Sequence, residues 1–162
     1  MTKEERRWWP PSTRMLKWSG LGVVALLLLI QLVPYGRAHS NPRVTQAAKW
    51  PPGPGQQIAE AGCYDCHSNL TKWRWYSNVA PSSWLVEHDV EDGRAILNFS
   101  EWDKPQPDAG ELVEKVESGE MPPLQYKVAH GEARLSSQEK KQLVAAITGL
   151  YASDPPPAGG GG

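Results

Sequence analysis

Cys63-Tyr64-Asp65-Cys66-His67 sets two thiols three residues apart, with an imidazole directly behind the second. Residues three apart share one face of a helix, so a single turn presents both sulfurs together with the histidine beside them. This is the pattern by which a chain takes up haem covalently. Each thiol adds to a vinyl group of the porphyrin, and the imidazole turns to the iron as proximal ligand. One such motif predicts one covalently attached haem c. Three other uses of the same residues compete. A thioredoxin-like dithiol opens a helix after a strand, and no strand pattern precedes Cys63. Half a zinc site needs two more ligands, with only His39, His88 and His130 left and no third cysteine. A disulfide across so short a loop contributes little to stability and leaves His67 without a part.

Outward from the motif, four segments carry helical periodicity and none alternates with period two. The first covers residues 56–63, with Ile58, Ala59 and Ala61, and runs into the cysteines. The second covers 81–97, with Trp84, Leu85 and Val90, and Gly93 is its expected break. The third, 109–117, has Asp108 as N-cap and Leu112, Val113 and Val116 on one face, and stops at Gly119. The last opens on Ser136-Ser137-Gln138-Glu139, a capping box, and repeats apolar residues at Leu143, Val144, Ile147, Leu150 and Tyr151. The fold class is therefore all-α, a small helical domain around one covalent haem, preceded by one N-terminal transmembrane or signal-anchor helix. Irregular stretches at 68–80 and 98–107 hold Trp73, Trp75, Tyr76, Phe99 and Trp102. A domain of about 100 residues has a marginal core, and an embedded flat cofactor would give these rings something to pack on.

The chain has 162 residues, 17 basic against 18 acidic. The near-neutral total excludes a polybasic nucleic-acid binder, but it joins unlike parts: up to Arg37 there are 6 basic and 2 acidic residues, and beyond it 11 basic and 16 acidic. Residues 1–18 read as a basic cytoplasmic N-terminus and 19–36 as a transmembrane anchor or signal segment. Residues 37–54 read as a Pro/Gly linker, 55–152 as the haem-binding domain and 153–162 as a disordered Pro/Gly tail. Trp18 and Tyr35 bracket the apolar run as an aromatic belt would, which favours an uncleaved anchor; Gly36-Arg37-Ala38 offers the alternative, cleavage after Ala38. Arg6-Arg7 hints at a twin-arginine signal, but Trp8-Trp9-Pro10-Pro11 continues it poorly. By the positive-inside rule the basic flank stays in the cytoplasm. The expected location is then a bacterial inner membrane, single-pass, with the haem domain on the periplasmic side, or the periplasm if the signal is cleaved.

For the second axial position the candidates are Met121, His88, His130 or no protein ligand. Met121 is the only methionine in the exported part, and Pro122 and Pro123 behind it hold the loop extended; its alternative use is to fill a gap in the core.

With these residues in place, the chain resembles the haem-binding domain family of exported monohaem proteins, which has a class I cytochrome c-like fold. The resemblance spans about residues 31–152. It rests on Gln31-Leu32-Val33-Pro34-Tyr35-Gly36-Arg37, Cys63-Tyr64-Asp65-Cys66-His67-Ser68-Asn69, Trp73-Arg74-Trp75-Tyr76, Ala80-Pro81-Ser82-Ser83-Trp84-Leu85, Gly93-Arg94, Asn98-Phe99-Ser100-Glu101-Trp102, Gly119-Glu120-Met121-Pro122-Pro123 and Tyr126. It implies haem c on Cys63 and Cys66, with His67 proximal and Met121 distal. The glycine-rich end from Ala158 is not part of that pattern.

A His/Met pair fills both axial positions and leaves the iron to electron transfer, so the expected function is a membrane-tethered electron carrier and not an enzyme. Trp73, Trp75, Trp84 and Trp102 would bury the haem. Arg94, then Tyr76 and Trp84, would serve its propionates. The acids Glu87, Asp89, Glu91 and Asp92, with Glu111, Glu114 and Glu117, either form solvated helix faces or call for redox partners with a basic docking face. A second reading keeps the sixth position open for peroxide or a gas, with His88 or His130 and Arg94 as distal groups. A third makes the chain a haem-bearing subunit of a larger membrane complex.

Overall fold

The computed structural model describes residues 12–158. The expectations for the basic residues before Ser12, Arg6 and Arg7 included, for Trp8-Trp9-Pro10-Pro11 and for the last four glycines lie outside the described residues. The described chain is helical, with no strand: α1 (Thr13–Ile30), α2 (Gly55–Gly62), α3 (Tyr64–His67), α4 (Ser82–Ile96), α5 (Ala109–Ser118), α6 (Leu124–Ala129) and α7 (Ser137–Ser153), with short 3-10 turns at Trp75–Asn78 and Gly131–Ala133. A lone parallel bridge joins Gln46 to Glu101.

α1 starts at Ser12, whose hydroxyl caps Met15 N–H at 3.3 Å, and buries none of its residues against the rest of the chain. Its 18 residues span about 27 Å at 1.5 Å per residue, close to the roughly 30 Å of a bilayer's hydrocarbon layer. It is apolar enough to cross a membrane or to act as a signal.

The local start and stop signals hold. Asp108 accepts from Glu111 N–H at 3.0 Å, α5 ends at Gly119 in the left-handed conformation, and Ser136 and Glu139 close a full capping box on α7. α2, α5 and α7 bury Ile58, Ala59, Leu112, Val116, Leu143, Ile147 and Leu150 against Leu97, Phe99 and Trp102. Trp102 has no exposed surface. It stacks on Phe99, meets Tyr151 edge-on, and donates its indole N–H to Asp154 O at 2.7 Å. The helices thus supply this tryptophan's environment, which the sequence reading assigned to the haem.

Two expectations about local structure change. Gly93 does not break α4, which runs through it to Ile96. α4 crosses α3 there so closely that a Cβ on Gly93 would lie 2.5 Å from Cys66 O and 3.0 Å from Cys66 C. The glycine buys close approach at the cost of some helix propensity. The second change concerns residues 37–54, which lack helix and strand as a linker would but lie along the domain. Ala48 N–H donates to Phe99 O at 2.9 Å, Trp102 N–H to Gln46 O at 2.8 Å, and Asn41 Nδ2 to Thr71 O at 3.0 Å, while His39 stacks on Trp73. Composition cannot tell a free proline-rich segment from one whose polar groups are satisfied by a neighbouring surface.

Ahead of this strap, residues 31–37 dock on the start of α4. Gln31 pairs with both backbone groups of Ala80, its Nε2 donating to the carbonyl at 2.9 Å and its Oε1 accepting the N–H at 3.0 Å. Arg37 donates to the same Oε1 at 2.9 Å. Gly36, at φ +79°, lies against Ser83 O with no room for a side chain.

Candidate functional site

The motif forms one helical turn. Cys63 O accepts from Cys66 N–H at 3.1 Å and from His67 N–H at 2.9 Å, so both thiols and the imidazole stand on one short element. The loop beyond it is held by a buried polar network. Phe99 N–H donates to His67 O at 2.9 Å, Asn98 Nδ2 to Asn69 Oδ1 at 2.8 Å, Asn69 N–H to Ser100 Oγ at 3.0 Å and Ser100 N–H to Asn98 Oδ1 at 2.9 Å. Sequence reasoning gave these side chains no role, although the asparagines flank apolar and aromatic residues.

His67 Nδ1 faces two carbonyls, Gly93 O at 2.9 Å and Leu97 O at 3.2 Å. Carbonyls only accept, so Nδ1 carries the proton and Nε2 keeps its lone pair. Burial lowers the imidazole's pKa, partly opposed by those two hydrogen bonds. The neutral, Nδ1-protonated ring is the form that ligates a metal, oriented as such ligands are by an outer hydrogen bond. Burial pushes both cysteine thiols up to about 12, so near neutral pH they are protonated, unlike the thiolate of a reactive dithiol. Among the described residues no three His, Cys, Asp or Glu side chains converge as a metal site.

Two adjoining cavities open onto this turn. The one of about 200 Å³ is walled by Cys66, Gly93 and Tyr126 among others; the one of about 300 Å³ by Phe99, Leu112, Val116 and Ile147 among others. Cys63, His67, Ile96 and Met121 line both, so the pair forms one cleft that is mostly apolar. Met121 arrives on the loop after α5, its N–H bonded to Lys115 O at 3.0 Å, with buried Pro122 against Gly62, where a Cβ would lie 3.1 Å from the ring. Neither His88 nor His130 lines the cleft: His88 is exposed beside Asp92, and buried His130 bonds Tyr76 Oη through Nε2 at 2.9 Å and stacks on Tyr126. Met121 alone of the axial candidates lines the cleft that His67 lines.

The model of the haem-binding domain family matches residues 25–148. The chain belongs to the haem-binding domain family. No curated protein and no solved structure matches it. As a haem-binding domain, this chain offers its cofactor a fitting donor set: a neutral imidazole, a thioether and two thiols around an apolar cleft.

Five expected haem contacts lie elsewhere. Arg94 spends its guanidinium on Ser68 O, Ser40 O, Asn41 Oδ1 and Thr71 Oγ1. Trp84 sits where Gly36 docks, lines neither cavity, and buries its indole N–H without a partner. Trp73 and Tyr76 line a small cavity of about 50 Å³ behind Cys66, and Trp75 is 79% exposed. The neutral and cationic donors that do line the cleft are Lys115, Gln125 and Tyr126. Lys115 is three residues past Leu112 on the buried stripe of α5, a hint visible only once that stripe is known to wall a cavity.

Asp65 between the cysteines is buried and accepts from Lys72 N–H at 3.0 Å and from Tyr126 Oη at 2.8 Å. Burial first, then Asp65's charge, raises the Tyr126 pKa, so the phenol stays protonated and donates. Tyr126→Phe removes that donor from a buried carboxylate and should cost about 1.5–3 kcal/mol, measured by denaturant unfolding of the haem-loaded protein.

Proposed function

We propose that this protein is a membrane-tethered monohaem c-type cytochrome that carries electrons between redox partners on the periplasmic side. The observation that carries the reading is that His67 and Met121 line the same cleft, with both thiols beside them and with His88 and His130 turned elsewhere. Bound there, haem supplies a one-electron iron centre. The chain's part is to present a neutral imidazole at fixed orientation, bring the Met121 thioether to the same cleft, and exclude water with Ile96, Leu97, Phe99, Leu112, Val116 and Ile147. Covalent attachment through Cys63 and Cys66 fits their place on one helical turn. Arg94 is committed to the strap and no histidine but His67 lines the cleft, so the distal acid/base pair that peroxide chemistry wants has no support.

The docked segment 31–37 supports a retained anchor. Cleavage after Ala38 would remove Gln31 and leave both backbone groups of Ala80 without those partners, and it would uncover the surface beneath Gly36. The mass of the mature protein tests this, with the uncleaved chain expected. Asp89 and Asp92 line the cleft, which supports partners with a basic docking face.

An optical spectrum tests the axial pair. The oxidised full-length protein is expected to show the weak long-wavelength sulfur-to-iron charge-transfer band, and Met121→Ala to abolish it and admit carbon monoxide to the reduced protein. A high-spin native protein that binds carbon monoxide freely would overturn the electron-carrier reading. Haem that stays with the chain through acid–acetone extraction, and is lost in Cys63→Ser/Cys66→Ser, checks the covalent link.

A further inference from the structure

α1 ends at Ile30, and the next residue, Gln31, is already bonded to Ala80. No free spacer separates helix from domain. A second tie follows at once: His39 Nε2 lies 2.9 Å from Ser77 Oγ and 3.0 Å from Ser77 O. Residues 77–80 are thus held at both ends by the segment that leaves the anchor. The turn they belong to exposes large apolar side chains next to that point, Trp75 at 79% and Val79 at 46%, alongside Leu32 at 78% and Val33 at 45%. A tryptophan this exposed is costly in water and at home in the headgroup layer.

Charge follows the same border. Beyond Arg37 the chain is acidic, 11 basic residues against 16 acidic, yet residues 70–83 contain Lys72 and Arg74 and no acid. Arg74 has an ion pair with Glu132, at 3.4 Å and largely in solvent, of the kind that contributes little. Lys72 and Arg74 share one shallow cavity with Glu60 and Glu132, and Tyr35 donates to Glu91 at 3.0 Å, so the charge here is mixed. An exposed tryptophan beside an anchor, with two cations flanking it, still has the chemistry that a lipid headgroup layer accommodates.

We infer that the turn carrying Trp75 and Val79, flanked by Lys72 and Arg74, rests in the headgroup layer of the bilayer that α1 crosses, so that the domain is seated on the membrane and does not swing on a tether. The inference rests on the anchor reading above. It sets how the cleft is presented: α4 starts at this contact and its cleft-lining residues, Asp89 to Ile96, begin about 10 Å along it and end near 20 Å.

The test uses the full-length, haem-loaded protein in nanodiscs of neutral lipid with a fraction of phosphatidylglycerol. Nitroxide labels are placed at Trp75→Cys, at Val79→Cys and, on the exposed side of α7, at Lys141→Cys; unsubstituted protein gives the background. Collision with oxygen, which concentrates in lipid, is compared with collision with a water-soluble nickel chelate. At Trp75 and Val79 oxygen collision should rise and nickel collision fall relative to Lys141, with nickel access at both recovering in Lys72→Glu/Arg74→Glu. Two labelled positions guard against one being disturbed by substitution. Equal aqueous exposure at all three, in protein that resists carbonate extraction from membranes, overturns the seating while the anchor stands, and leaves the face to a protein partner. Release by carbonate overturns both.

Discussion

Gly93→Ala is expected to leave the chain unable to assemble a stable haem site. The added Cβ would lie 2.5 Å from Cys66 O and 3.0 Å from both Cys66 C and Cys66 Cβ. Two of those atoms belong to the backbone of the motif's turn and cannot rotate aside. Moving α4 away instead displaces Gly93 O, which accepts the His67 Nδ1 proton at 2.9 Å, so the strain reaches the ring proposed to ligate the iron. Overpacking of this kind costs about 3 kcal/mol at the upper end of its usual range, from a domain whose net stability is on the order of 5–15 kcal/mol. For a domain near 100 residues that corresponds to a fall in Tm of roughly 10–20 °C, with a matching loss of haem per chain. Gly131→Ala is the control: nothing lies within 4 Å of its added Cβ, and its effect should stay within about 0.5 kcal/mol. Thermal melts and haem content of the three purified proteins decide it; an unchanged Gly93→Ala protein would mean that the α3–α4 crossing is looser than its geometry.

What was legible in the sequence was local. Asp108, Gly119 and the Ser136/Glu139 box act through their own neighbours, so reading the neighbours suffices, and the spacing of Cys63, Cys66 and His67 defines one turn wherever that turn lies. What was not legible depends on residues distant in the chain. Gly93 reads as a helix break because intrinsic propensity disfavours it; its reason is Cys66, 27 positions earlier in the sequence. α6 escaped notice because its six residues follow two prolines and leave Leu124 and Val128 exposed, so no buried stripe marks it. The aromatic loops were correctly read as irregular and as needing a surface, but the surface differs for each ring. Trp102 has the α7 region, Trp73 has His39, and Trp75 meets Tyr76 edge-on and is otherwise in solvent. Met121 stood out because it is the one methionine beyond the N-terminal apolar segment. No comparable scarcity distinguished Lys115, Gln125 or Asp65.

Arg94→Lys separates two jobs that the same charge could do. Reading the sequence suggested a propionate partner, and the geometry makes Arg94 a clamp: Nε donates to Ser68 O at 2.8 Å, Nη1 to Ser40 O at 2.9 Å, and Nη2 to Asn41 Oδ1 at 3.0 Å and Thr71 Oγ1 at 2.7 Å. These acceptors belong to the strap and to the loop behind His67, so the fork ties both to α4. Lysine keeps the charge but offers its donors from a single point on a flexible stem, and cannot reach acceptors arranged around a planar guanidinium. Ser68 and Thr71 are buried, so at least two acceptors lose their partners away from water. At about 1.5–3 kcal/mol for a hydrogen bond to a charged group, and discounting the two bonds nearer solvent, the expected loss is about 2–4 kcal/mol of unfolding free energy. The midpoint potential of the protein that remains folded should stay at the parent value, because the guanidinium does not line the cleft and the charge is retained. A propionate partner predicts the reverse pattern, a clear shift in potential with little change in stability. Denaturant melts and a redox titration on the same preparation distinguish the two. Asn41→Ala adds a check, since it removes one clamp acceptor outside the cleft and should lower stability without moving the potential.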